Sequence, residues 1–129
     1  MRVFKAKDFA RFARKEGIDD AALCEAVARA ARGLFDAELG GGPIKQRVAR
    51  KGEGRSGGFR TIVAIGLKDR AVFVHGFAKR DSDNIRQSEL AGLKALASAV
   101  LSMNARQIDD AIAAKEFLEV NCNGQEIQK

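Results

Sequence analysis

The chain contains no tryptophan and no tyrosine, a single histidine, a single proline and two cysteines. Each scarcity excludes something. One His and two cysteines far apart in sequence leave no cluster with metal-ligand spacing, so neither a metal nor an organic cofactor is expected. No window approaches 18 apolar residues, so no membrane span or membrane partner is expected. The N-terminal stretch MRVFKAKDFARFARKEG is broken throughout by charges and lacks the apolar core of a signal peptide. A cytoplasmic location follows as the expectation. Cys24 falls in an alanine-rich helical pattern and Cys122 in a polar tail, which reads as two reduced thiols in a cytosolic protein. No carboxylate pair stands at catalytic spacing, and no Ser or Cys nucleophile signature is present.

What the chain has is localised positive charge. Its 129 residues carry a formal net charge of +6, with 46% apolar and 31% charged residues. That describes one globular domain able to bury its own core. Between positions 41 and 80 stand ten Lys and Arg (45, 47, 50, 51, 55, 60, 68, 70, 79, 80) against two acids, Glu53 and Asp69, a local balance of +8. The flanking segments are close to neutral or acidic. A polyanionic partner is the natural consequence.

Taken in order, residues 2–6 alternate polar and apolar and suggest a short strand. Asp8 is placed to cap a helix with Phe9, Phe12 and Ala13 on one face, stopping near Gly17. Asp19 or Asp20 caps a second helix, whose stripe reads Leu23, Val27, Ala30, Ala31, Leu34, with Gly33 as a C-terminal stop. The breaker Gly40–Pro43 precedes IKQRVARK, a wetter strand that sets Lys45, Arg47 and Lys51 on one face and Ile44, Gln46, Val48 and Arg50 on the other. FRTIVAIG and AVFVHGFAK are apolar on both faces and read as central strands of an antiparallel meander. A helix with Leu90, Leu93, Ala97, Val100 and Leu101 on its stripe follows. Asn104 with Gln107 then forms a capping box for a last helix bearing Ile108, Ile112 and Phe117. The order is βααβββαα, an α+β fold. Residues 1–120 read as a single domain and 121–129 as a flexible tail.

GEGRSG, Gly52 to Gly57, has the G-x-G-x-x-G spacing of a dinucleotide loop, but a strand follows it where that site needs a helix. A hairpin tip explains it better. Arg60 stands in an otherwise apolar strand, where an unpaired guanidinium would be costly. It either pairs with a carboxylate or opens onto a groove and holds an anion. His75 shares a strand face with Phe73, Phe77 and Lys79 on simple alternation. It is either a hydrogen-bonded packing residue or a general acid or base beside Lys79 and Arg80. With cations, one imidazole and the substrate's own groups, one reaction fits well: attack of an RNA 2′-hydroxyl on the adjacent phosphodiester, with Lys and Arg stabilising the phosphorane.

IKQRVARKGEGRSGGFRTIV, followed by VFVHGFAKRDSDNI and a Leu/Ala helix, resembles the HigB-like branch of the RelE/ParE toxin superfamily over roughly residues 1–120. The resemblance implies a small βααβββ fold, its antiparallel sheet packed on helices, with additional C-terminal helices. It implies the toxin of a type II toxin–antitoxin pair, a metal-independent endonuclease that cleaves mRNA on the ribosome. The implied partners are an antitoxin, a small helix-turn-helix protein, together with ribosome and mRNA, and a homodimer in isolation. Carried onto this chain, the site residues are Lys45, Arg47, Arg60, Lys79 and Arg80, with His75 or one of the cations moving the proton. Arg50, Lys51 and Arg55 would grip RNA. Many relatives use a tyrosine near the C-terminus for acid–base work, and this chain has none. Two alternatives stand beside this reading: a ParE-like inhibitor of DNA gyrase and a non-catalytic nucleic-acid-binding module.

Overall fold

The computed structural model describes residues 1–50, 54–66, 69–78 and 87–122, and only the backbone of 54–57 and 87. The elements are β1 (Arg2–Ala6), α1 (Lys7–Glu16), α2 (Asp20–Ala31), β2 (Ala37–Glu38), β3 (Pro43–Arg50), β4 (Gly54–Gly66), β5 (Arg70–Ala78), α3 (Gln87–Ser102), α4 (Ala105–Ala113) and β6 (Phe117–Glu119). The fold is α+β, as the pattern predicts, with two short strands, β2 and β6, beyond the expected order. Among the described residues, no helix is long and apolar enough to cross a membrane.

Local chemistry sets most boundaries. Gly17 ends α1 at φ 71°, a left-handed position where glycine carries no Cβ penalty. Asp8 lies in the first turn of α1 and not at its cap, because the helix begins at Lys7. Asp19 caps α2 by accepting from the Ala22 N–H at 2.9 Å. That helix stops at Ala31, and Leu34, beyond the stop, is 53% exposed and not part of the buried stripe. The capping box of α4 forms, Asn104 and Gln107 each bonding the other's backbone N–H at 2.8 Å. Phe117 is buried but belongs to β6, since α4 ends four residues before it.

The strands form one six-stranded sheet in the order β2-β3-β4-β5-β1-β6. The expected meander is β3-β4-β5, all antiparallel. The sheet as a whole is mixed and not wholly antiparallel, because β1 lies parallel to β5, Val3 opposite Ala71 and Phe4 opposite Val72. Parallel pairing requires a long crossover, here α1 through β4, and such a contact leaves no local turn signature. β6 pairs antiparallel with β1 and closes that edge. There Arg2 and Glu119 form a two-pronged pair at 2.9 Å that holds the Glu119 carboxyl below its ordinary range. Both side chains are about half exposed, so this contact contributes little to stability.

Helices cover both faces of the sheet. α1 and α2 pack on Val3, Ile44, Val48, Phe59, Val63 and Phe73. α3 and α4 pack on Phe4, Ile62, Ala64, Val72 and Val74. Strands apolar on both sides need cover on both sides, so β4 and β5 could not have presented one bare face. α1 approaches β5 most closely at Gly76, where an added Cβ would lie 2.6 Å from the Phe12 ring and 2.9 Å from that of Phe9. Gly76→Val is therefore expected to destabilise the fold by about 1–3 kcal/mol through overpacking. With no Trp or Tyr to report, far-ultraviolet circular dichroism in denaturant is the check.

Arg70, one of the ten cations of the basic stretch, has a structural role. It is buried, pairs with Asp69 at 2.7 Å, and donates to the Val100 and Met103 carbonyls at 2.9 and 2.6 Å. A cation there satisfies the carbonyl end of α3.

Cys24 and Cys122 correct the expectation of two free thiols. They form a disulfide, with Cα atoms 5.7 Å apart across a sequence separation of 98. The edge strand β6 runs beside β1 and returns the chain over α2, which brings the two cysteines together. The same return ties down Asn121, whose N–H donates to Asp20 at 2.9 Å. Described structure thus continues two residues past the expected domain end at 120, and 123–129 lie outside the described residues.

Candidate functional site

On the α3/α4 side of the sheet, strand register assembles two rows. Arg47 of β3 lies directly opposite Arg60 of β4, which lies opposite Phe77 of β5. One step along, Lys45 lies opposite Ile62 and Ile62 opposite His75. Directly opposed residues point to one face, with Cβ atoms about 4.5–5.5 Å apart. Lys45, Arg47, Arg60 and His75 therefore share one face of the sheet. α3 and α4 cover Ile62, Ala64, Val72 and Val74 but leave Arg47 43% exposed at the side chain.

His75 reaches this face through a bulge. The pairing jumps from Ile62↔His75 to Val63↔Phe73, which makes Val74 the extra residue. Phe73 then packs under α1, while His75 and Phe77 turn to the cationic side, their rings 5.8 Å apart. Simple alternation, which put His75 with Phe73, fails here because a bulge reverses the parity of everything after it.

Two strand-facing arginines need a counter-charge, and Asp36, just before β2, provides it. Arg47 Nε donates to its two carboxylate oxygens at 3.0 and 3.2 Å, and Arg60 Nε stands 3.9 Å from Oδ2. Arg60 is only 16% exposed at the side chain, and its Nη1 is buried with no hydrogen-bond partner among the described residues. Of the two sequence-based alternatives for Arg60, the structure shows the first in loose form: a carboxylate stands beside it, 3.9 Å from Nε. Lys45 makes no ion pair among the described residues. Two arginines thus share one carboxylate, with Lys45 on the same strand face as Arg47.

The backbone under Arg47 is fixed by a buried polar network. Gln46 donates to the Ala26 and Leu34 carbonyls, both at 2.9 Å, and its Oε1 accepts from the Arg47 N–H at 3.0 Å. Arg29, buried on α2, donates to the Arg47 carbonyl at 2.7 Å and to Glu25 at 2.6 Å. β2 has ended by this point, so Gln46 and Arg29 satisfy the outward N–H and C=O that a neighbouring strand would otherwise take. Asp36, Arg29 and Gln46 escape sequence reasoning. Only the inward parity of Gln46 on an otherwise apolar strand face hints at a buried polar anchor.

Among the remaining expected site residues, Arg50 is separated from the cluster. It lies on the α1/α2 side, where strand alternation puts it, its guanidinium over the Phe59 ring, 5.1 Å from the centroid. Lys51, Lys79 and Arg80 lie outside the described residues, and Arg55 is described by its β4 backbone alone. Gly52 and Glu53 also fall outside, but β3 and β4 pair on either side of them. The glycine motif thus joins two antiparallel strands, which excludes the dinucleotide loop.

Residues 1–120 match the family described as the RelE toxin of the RelE/RelB toxin–antitoxin system. The chain belongs to the RelE toxin family. A comparison with curated proteins yields no match. Family members are the toxin half of a pair whose other half is a RelB-type antitoxin. The RelE match runs through the meander and both helical layers and ends at Val120.

Proposed function

We propose that this RelE-family chain is a ribosome-dependent mRNA endonuclease that needs no metal, and that the row Arg47–Arg60 binds the scissile phosphate. The observation that supports it is Arg60: opposite a second arginine stands a nearly buried guanidinium whose Nη1, buried and without a partner among the described residues, has a hydrogen bond left to give an oxyanion that displaces what covers it. In the reaction, the ribose 2′-oxygen attacks phosphorus and gives its proton to His75 or Lys45. The P–O5′ bond breaks, and the leaving 5′-oxygen takes a proton from the other group or from Lys79 or Arg80. The products are a 2′,3′-cyclic phosphate and a 5′-hydroxyl. Arg47 and Arg60 neutralise the non-bridging oxygens as their charge grows. Arg50, Lys51 and Arg55, around the β3–β4 hairpin end, hold the flanking RNA backbone. A small helix-turn-helix antitoxin would silence the protein in the cytoplasm, where ribosomes are met.

Expression of the chain alone in bacteria is expected to arrest growth within a generation, with new mRNA 5′ ends phased to codons. Normal growth with folded, soluble protein would exclude a toxin. Loss of supercoiling without RNA cuts would move the target to gyrase.

A further inference from the structure

We infer that Asp36 is the positioning residue of this site: its carboxylate bonds Arg47 at Nε and sets its charge beside Arg60 Nε, leaving the Nη ends of both for one phosphate. The inference rests on the RNA-cleavage reading for its catalytic consequence, though not for its geometry.

Like charges directly opposite one another across two strands repel. An arginine side chain has enough rotatable bonds to relieve that repulsion by swinging into solvent, and Arg47, near the sheet edge, is free to do so. Asp36 removes that freedom. Both of its oxygens lie within 3.2 Å of Arg47 Nε, and Oδ2 is 3.9 Å from Arg60 Nε. The contact uses the inner edge of each guanidinium. Among the described residues the Asp36 carboxylate accepts hydrogen bonds from Nε alone, and Arg60 Nη1 is buried without a partner. With Nε occupied, the Nη1/Nη2 end of Arg47 is the edge left to receive a phosphate bidentately.

Asp36 is itself fixed. Its N–H donates to the Lys45 carbonyl at 2.9 Å, and two residues earlier the Leu34 carbonyl accepts from Gln46 at 2.9 Å. The segment between α2 and β2 is thus bonded to the same strand that carries Lys45 and Arg47. One bonded unit sets both the arginine and the group that aims it, and a clamp of this kind supplies catalysis through orientation.

The test compares Asp36→Asn and Asp36→Glu with wild type in three measurements. Single-turnover cleavage of ribosome-bound mRNA is expected to fall roughly 10- to 100-fold in D36N, consistent with the cost of a misplaced group. D36E is expected to recover part of the rate. Affinity for a short single-stranded RNA is expected to stay level or tighten, because one negative charge is gone, so the loss appears in kcat and not in KM. The third measurement does not need cleavage: the Arg47 and Arg60 Nε–Hε signals in nitrogen-15 NMR, titrated with inorganic phosphate. In wild type both signals are expected to be resolved and to shift together. In D36N they collapse toward the signals of solvent-exposed arginines and lose that joint response.

Faster cleavage by D36N would make Asp36 a blocking group and overturn the proposal. Unchanged cleavage and unchanged Nε–Hε signals would make it a bystander and overturn it equally. If wild type cuts no RNA, the endonuclease reading fails, and the NMR titration still decides whether Asp36 aims the pair.

Discussion

Arg60→Met is expected to lower RNA cleavage by a factor of roughly 10² to 10³, the effect of removing one preorganised donor to a developing oxyanion, and to relieve growth arrest. The same substitution is expected to leave stability unchanged or raise it. Arg60 is largely withdrawn from water, faces Arg47 across the strands, and has only a 3.9 Å carboxylate contact. Replacing an incompletely paired buried charge by an apolar side chain of similar length is often neutral or stabilising. A structural arginine behaves in the opposite way: at Arg29 or Arg70, each bonded to a carboxylate and to backbone carbonyl oxygen, the change to Met should destabilise strongly. Cleavage assays beside circular dichroism melts of all three variants separate the cases. A clear loss of stability in Arg60→Met, with activity falling in proportion, would remove Arg60 from the site.

The largest effect on stability is expected from the disulfide. Closing a loop of 98 residues restricts the unfolded chain by about 4–5 kcal/mol in the chain-entropy account. That is a large share of the roughly 5–15 kcal/mol by which domains are stable. Cys122→Ala is the better probe, because Cys24 is fully buried and a lone thiol is tolerated there as a small apolar group. Guanidinium unfolding of this variant should match that of wild type in dithiothreitol, and both should fall well below oxidised wild type. A difference under about 1 kcal/mol would show that the reduced chain already holds this geometry. The comparison also bears on where the protein works, since reducing compartments keep such bonds open.

Features set by neighbouring residues were legible in the sequence. The stop at Gly17, the cap at Asp19, the box of Asn104 and Gln107 and the β3–β4 hairpin each depend on a few adjacent positions. Lys45 and Arg47 were placed on one face by strand alternation, while Arg60 joined them only through the family resemblance. Features set by distant residues were not. Asp36 stands 11 positions from Arg47 and reaches it only because β2 folds back on β3. The parallel contact of β1 with β5 and the meeting of Cys24 with Cys122 depend on the finished sheet. His75 was named as a candidate, but its face was assigned by an alternation that the Val74 bulge inverts. A bulge in an apolar strand has no composition to betray it.

The disulfide has a topological consequence. Joining positions 24 and 122 makes the intervening chain a covalent ring that contains β2, β3, β4, β5 and β6. β1 is outside that ring, yet it lies in the sheet between β5 and β6, both inside it. The N-terminal strand is therefore a wedge seated in a slot whose two walls belong to one closed loop. It can leave or enter without any strand of the ring changing its order, and a backbone cut within the ring still leaves a single molecule.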